Sequence, residues 1–226
     1  MRRLAAAVMF AIGGLGLATP AAAQMSSGYL LRPFVLVDEQ WFTAKDTFKA
    51  IFGEAQQPLW GGGLTVIEED RYYLDIGLTR FKKTGQRAFF NNGRAFPLGI
   101  PLSATLTTIE LTTGVQFHPG RRRPTRLSSL PPRPSRLVPY VGGGGGLYRY
   151  RESSDFDAAG DAVEKQHLGV ILEGGLEVRL QRWVGISVGA HYAYVPGILG
   201  TGGVSQLADE KDLGGLSGRL RLIIGK

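Results

Sequence analysis

The chain has 226 residues, no cysteine, 33 glycines, 43% hydrophobic residues and a formal net charge of +7 at pH 7. That apolar share is ample for burial and excludes a wholly disordered chain, while the glycine and aromatic content suits one all-β domain better than two small ones. A mean hydropathy of -0.02 is too low for a helical membrane protein, and beyond residue 24 no apolar run approaches the roughly 20 residues of a spanning helix.

In chain order, Arg2 and Arg3 precede an apolar stretch from Leu4 to Leu17 and the small-residue run Pro20-Ala21-Ala22-Ala23. This pattern predicts a secretory signal peptide over residues 1–23, followed by a mature barrel domain over 24–226. Loss of Arg2 and Arg3 lowers the charge from +7 to +5. Without cysteine the exported chain has no disulfide framework, so hydrogen bonds and burial must hold it together.

Eight segments of two-residue alternation follow: Phe34–Phe42, Leu59–Glu68, Arg71–Lys82, Ile100–Phe117, Leu137–Arg151, Lys165–Leu180, Arg182–Pro196 and Leu213–Gly225. In the third, Tyr72, Leu74, Ile76 and Leu78 alternate with Tyr73, Asp75, Gly77 and Thr79. In the sixth, one parity is Leu168, Val170, Leu172, Gly174, Leu176, Val178 and Leu180, and the other carries Glu173, Glu177 and Arg179. The eighth sets Leu216, Leu220, Leu222 and Ile224 against Ser217, Arg219 and Arg221. Between the first two segments, Phe48, Ile51 and Phe52 lie near helical spacing, which predicts a short helix over Asp46 to Gly53, across the barrel mouth.

Such alternation fits a soluble sandwich or lipocalin-like barrel, with its apolar face inside, or a membrane barrel, with its apolar face outside. Segments such as Leu168–Leu180 and Leu213–Ile224 exceed the usual globular strand of about 5 or 6 residues and match the roughly 9 to 11 that cross a bilayer at a tilt. Length and export together favour an eight-stranded antiparallel up-and-down transmembrane β-barrel. Tight turns at Glu69-Asp70 and near Gln181 alternate with long connections, as expected of short periplasmic turns and long outer loops. Residues 82–98 and 196–212 are expected to form outer loops, where partners bind.

The exception is the connection His118–Arg136. It carries Arg121, Arg122, Arg123, Arg126, Arg133 and Arg136 among prolines and serines, and is expected to be an extended periplasmic loop. Its basic charge suits acidic partners or lipid headgroups, but it lacks the stacking aromatics of a nucleic-acid site, so no nucleic-acid partner is expected.

The five glycines Gly142–Gly146 invite comparison with phosphate-binding loops. A P-loop requires Gly-Lys-Ser/Thr next, whereas Gly146 is followed by Leu147-Tyr148-Arg149 in strand alternation, and the dinucleotide fingerprint lacks its third glycine at Leu147. A glycine-rich strand that allows curvature or close approach inside a narrow barrel is the better reading.

The stretches "LTRFKKTGQRAFFNNGRAFPLGIPL", "PYVGGGGGLYRY", "YAYVPGILGTGGVS" and "DLGG" resemble bacterial outer-membrane β-barrel domain proteins, broadly similar to small eight-stranded OmpA-like and OmpX-like barrels. The resemblance implies an integral outer-membrane protein with a side-chain-filled interior, inserted by the barrel-assembly machinery, and implies no single activity. It departs from the pattern at its end, where Ile223-Ile224-Gly225-Lys226 stands in place of a terminal aromatic residue.

Two sets of residues follow from the alternation. Glu110, Glu173, Glu177, Arg179, Arg219 and Arg221 are expected to pair across the lumen and plug it, because unpaired buried charge is costly. Tyr140, Tyr148, Tyr150, Trp183, Tyr192 and Tyr194 are expected to form lipid-facing aromatic girdles. No catalytic, cofactor or metal site is predicted. Ser187 and His191 are about 13 Å apart along a strand, too far for direct contact, and no His or acid cluster has ligand spacing. A structural or surface-interacting barrel without enzymatic chemistry is the preferred reading, ahead of a small pore or ligand-carrying barrel and of a lipid-modifying enzyme.

Overall fold

A computed structural model describes residues 29–91, 94–118, 136–154, 163–181, 183–200, 205–206 and 208–225. Eight strands run in chain order as β1 (Tyr29–Phe42), β2 (Gln56–Glu68), β3 (Tyr72–Asn91), β4 (Arg94–Gln116), β5 (Leu137–Ser153), β6 (Val163–Arg179), β7 (Val184–Tyr194) and β8 (Gly215–Ile224), with one helix, α1 (Lys45–Phe52), between β1 and β2. Each strand pairs antiparallel with its sequence neighbour, and β8 returns to β1 through the pairs Phe34↔Ile223 to Phe42↔Gly215, so the barrel is closed. Closure leaves no sheet edge, which is the condition for strands to lie in hydrocarbon.

Burial across this wall is inverted relative to a soluble protein. Leu168, Val170, Leu172, Val188, Leu216, Leu220 and Leu222 face outward and are exposed, while Asp38, Asp75, Glu110, Glu173, Arg219 and Arg221 are buried within. Carboxylates inside and leucines outside is the arrangement of a transmembrane barrel rather than a lipocalin-like one. Trp60, Tyr192 and Tyr194 sit outward towards one end of the wall and Tyr72 and Trp183 towards the other.

The two ends differ. At the end holding Tyr29 and Ile224, β2 turns into β3 through Glu69 and Asp70, both at positive φ (54° and 55°), with the Arg71 N–H donating to the Glu68 carbonyl at 3.0 Å across this tight turn. At the opposite end the mouth is filled. Phe48 of α1 stacks on Phe42 with ring centroids 3.9 Å apart, and both join Leu59, Phe81, Leu106, Tyr150, Val195, Ile198, Leu199 and Leu213 in one apolar cluster. The segment after β7 folds back over this cluster, and its Glu210 carboxylate accepts from the backbone N–H groups of Asp46 and Thr47 at 3.0 and 2.8 Å. The first turn of α1 is thereby capped from a distant part of the chain. Gly53 closes the helix at φ 81°, its N–H donating to the Lys49 carbonyl.

Two expectations need correction. β1 begins at Tyr29 and not at Phe34, which adds Arg32 to the interior. Residues 82–98 are not an irregular loop: β3 and β4 stay paired out to Asn91↔Arg94 across a register shift between Gln86 and Ala88, so most of this rim is a projecting hairpin. The expected rim segment after β7 carries, in its described part, the bridge Pro196↔Asp212 and the buried Ile198 and Leu199, which adds order to that expectation rather than overturning it. The predicted signal peptide and Arg121, Arg122, Arg123, Arg126 and Arg133 lie outside the described residues. Arg136 is exposed at the start of β5, where its carbonyl accepts from the Arg179 N–H.

The glycine run is a matter of space. A Cβ on Gly144 would stand 2.0 Å from the Leu111 carbonyl oxygen, and one on Gly142 2.2 Å from the Tyr73 hydroxyl, whereas one on Gly145 would be 3.4 Å from its nearest neighbour. Gly144→Ala is therefore expected to lower stability by about 1–3 kcal/mol through overpacking, and Gly145→Ala to be nearly silent, in urea unfolding from lipid vesicles. In the same assay Leu172→Arg, on the lipid face near mid-strand, should cost about 2–4 kcal/mol.

Candidate functional site

Carboxylates from four strands converge on two arginines of β8. Arg219 grips Asp38 of β1 with both ends of its fork, Nε to Oδ1 at 2.8 Å and Nη2 to Oδ2 at 2.6 Å. The same Nη2 donates to Glu110 of β4 at 3.0 Å, and Nη1 lies 3.4 Å from Glu173 of β6. Arg221, two residues on and on the same face, donates to Asp75 of β3 at 2.5 Å and to Glu173 at 2.7 Å. Glu173 thus bridges the two guanidiniums, and its other oxygen accepts from the Tyr73 and Thr112 hydroxyls at 3.0 and 2.9 Å. The Arg221 guanidinium also sits over the Phe34 and Tyr140 rings, 5.0 and 5.9 Å from their centroids.

Glu177 and Arg179 lie apart from this centre. Glu177 is bound by both ends of Arg32, at 2.8 and 2.9 Å, near the end holding the chain's termini. Arg179 reaches Glu177 at 3.2 Å and His118 at 3.4 Å from a partly exposed position. Glu110, Glu173, Arg219 and Arg221 therefore share one cluster, while Glu177 and Arg179 belong to a second. Sequence reasoning missed Asp38, Asp75 and Arg32. Asp75 stood in the polar parity of its strand and was not carried into the network, and Arg32 preceded the strand as then bounded.

The girdle expectation fails at three positions. Trp183, Tyr192 and Tyr194 face outward and are exposed, but Tyr140, Tyr148 and Tyr150 point into the barrel, where Tyr150 is completely buried. Their hydroxyls have interior partners: Tyr148 donates to Glu110 at 3.0 Å, Tyr150 donates to Glu152 at 2.7 Å, and Tyr140 accepts from Ser187 at 3.0 Å. The register explains the error. Glu110 pairs with Gly146 and Thr112 with Gly144, and paired residues share a face, so the glycine and tyrosine parity of β5 must be the inner one. Alternating tyrosine with glycine fills a narrow lumen without overfilling it.

Ser187 does not meet His191. His191 Nδ1 lies 3.2 Å from the Ser217 hydroxyl, and its Nε2 lies 3.4 Å from Glu110 Oε2 without hydrogen-bond geometry. Serine, histidine and acid stand in sequence here, yet Ser217 and His191 are 1% and 3% exposed, and the Glu110 carboxylate is held by Arg219 and Tyr148. A nucleophile needs access to a substrate carbonyl, and this hydroxyl has none. The cavity nearer the termini, lined by Arg32, Tyr73, Asp75, Gln116, Tyr140 and Arg221, is about 20 Å³, the scale of one water rather than of a small-molecule pocket. Among the described residues no three His, Asp or Glu side chains are arranged to hold a metal ion.

The sequence matches no protein-family model and no curated protein. Among solved structures it is similar to Neisserial surface protein A (14% identity, TM-score 0.48). It is also similar to the N-terminal β-barrel domain of Pseudomonas aeruginosa OprF (10%, 0.46) and to Ail, the attachment invasion locus protein of Yersinia pestis (10%, 0.46). Each alignment covers 88% of this chain and 98% of the other.

Removing Arg219 leaves Asp38 without its fork and Glu110 with a weaker set of donors, all in an interior closed to water. Arg219→Ala is expected to destabilise the barrel by about 3–5 kcal/mol, read as a lower urea midpoint at unchanged slope. A double variant, Arg219→Met with Asp38→Leu, should recover a large part of the loss, because both charges of the closest pair then go together.

Proposed function

We propose that the chain is an exported, integral protein of the bacterial outer membrane, with a plugged polar interior and a structural or surface-binding role without enzymatic chemistry. The observation that carries this reading is the Arg219 cluster. One guanidinium bridges carboxylates from β1, β4 and β6 across the lumen, and the apolar cluster around Phe42 and Phe48 lies above it. A conducting pore needs a continuous polar path, and both elements oppose one. The apolar wall supports membrane insertion, and its strands suit delivery by the barrel-assembly machinery. The barrel end with Tyr29, Ile224 and the Glu69-Asp70 turn then faces the periplasm, and α1, the β3–β4 hairpin, Ile198 and Leu213 lie at the outer end, where a partner would meet them. The buried Ser217 and His191 count against a lipid-modifying enzyme.

Purified protein in planar bilayers is expected to show no stable conductance, and a sizeable persistent channel from the wild-type chain would overturn the plugged reading. Orientation is checked separately. A cysteine introduced at Asn92, between β3 and β4 in the sequence, should react with an impermeant maleimide in intact cells.

A further inference from the structure

We infer that the outer wall of β3, β4 and β5 carries a binding surface for the phosphate groups of a lipid headgroup, at the end of the barrel where the long connections lie. The inference rests on the reading that this wall faces a bilayer. Register places three cross-strand rows one above another on the outward face: Leu78–Ile109–Leu147, then Arg80–Thr107–Arg149, then Lys82–Thr105–Arg151. The first row is apolar and belongs to the hydrocarbon belt. The next two each set a threonine hydroxyl between two cations, and adjacent strands about 4.8 Å apart put those cations roughly 10 Å from each other. Tyr72 of the opposite girdle is eight residues below Arg80 on β3, so a tilted strand lifts Arg80 about 20 Å above it and Lys82 about 25 Å, the height of the lipid-facing band.

Arg80, Lys82, Arg149 and Arg151 are all exposed. Glu164 on β6 pairs with Arg149, so four cations less one carboxylate leave a charge of +3. No described carboxylate makes a salt bridge to Arg80, Lys82 or Arg151. At the same end the outward positions of β1, β7 and β8 hold Glu39, Trp41, Tyr192, Tyr194 and Leu216 and no cation, so the cationic surface is confined to one sector. Trp60, paired with Arg80 and 66% exposed, marks the girdle beside it. Guanidinium forks bind phosphate oxygens two at a time, and the intervening threonines add neutral donors. A lipid whose acyl chains lie on the Leu78–Ile109–Leu147 row has its headgroup at the two rows above, which is why a lipid phosphate and not a soluble anion is the occupant.

The test titrates lipid A carrying two phosphates, and its dephosphorylated counterpart, into the folded protein in neutral detergent micelles, with retained lipid counted by native mass spectrometry. The wild-type chain should retain the phosphorylated form preferentially. The triple variant Arg80→Gln, Lys82→Gln, Arg151→Gln should lose on the order of tenfold or more of that preference, while Arg71→Gln at the opposite end should keep it. Equal retention of the two lipids by wild type, an unchanged triple variant, or an equal loss in Arg71→Gln would each overturn the inference. So would full displacement by inorganic phosphate, which would make this a free-anion site. Should the triple variant not give a heat-modifiable band on gels, Lys82→Gln and Arg151→Gln singly carry the same measurement. Failure of the wild type itself to fold into micelles would count against the membrane reading, and is separable from a folded barrel that does not discriminate.

Discussion

The guanidinium of Arg219 has to be answered by carboxylates, and the way this is done constrains the rest of the barrel. Asp38 is its cross-strand partner on the neighbouring β1, while Glu110 of β4 and Glu173 of β6 are reached across the lumen, and together these contacts fix how far each strand has slid along its neighbours. A slip of one residue in any pairing would turn a charged face into hydrocarbon and a leucine face into the interior. The network and the apolar belt therefore specify the same register by independent penalties. Pairing the charges adds less to net stability than their separation would cost, since desolvation offsets much of the attraction. Their contribution is to make alternative registers unfavourable.

A lumen that holds this cluster together with Tyr73, Tyr140 and Tyr148 has little volume to spare. That is why glycines recur on the inner and close-approach positions of β2, β5, β6 and β7. Gly61 and Gly63 would place a Cβ within about 2 Å of carbonyl oxygens on β3, and Gly175 and Gly189 would place one 2.7 and 2.6 Å from the Tyr140 hydroxyl. Glycine is a poor strand former in isolation, so these strands are stable only as parts of a closed wall. Local propensity has been exchanged for room.

Much of this was legible before any coordinates. Period-2 alternation located eight strands, the even number and alternating connection lengths pointed to a closed up-and-down barrel, and the Phe48, Ile51 and Phe52 spacing located α1. What alternation cannot supply is the absolute face of a strand whose two parities are both mixed. β5 is the case in point: its outer parity contains Arg149 and Arg151 and its inner parity three tyrosines, so composition alone pointed the wrong way, and only pairing of Gly146 with Glu110 resolves it. The network was half legible for a related reason. Charged residues on a polar parity could be recognised as interior, but which acid meets which arginine depends on contacts between strands distant in sequence, such as Asp38 with Arg219 across 181 positions.

The same register argument says where chemistry with a partner can occur. Inside, Arg32, Arg219 and Arg221 are paired with carboxylates, and the cluster of Phe42, Phe48 and Leu213 lies between them and the loop end. At the rim, Glu210 is spent on the N–H groups of α1, and Asp212 accepts from Val195 and Gly214, which gives the covering segments a fixed shape rather than a free one. Among the charges that make no salt bridge to a described residue, Arg80, Lys82 and Arg151 stand together on the outside of the wall. These residues stand above the apolar belt at a height where a buried cation would be costly in hydrocarbon and is favourable beside anionic headgroups. Cations paired with carboxylates inside the barrel have little left for an anionic partner, whereas Arg80, Lys82 and Arg151 on the perimeter make no salt bridge to a described carboxylate.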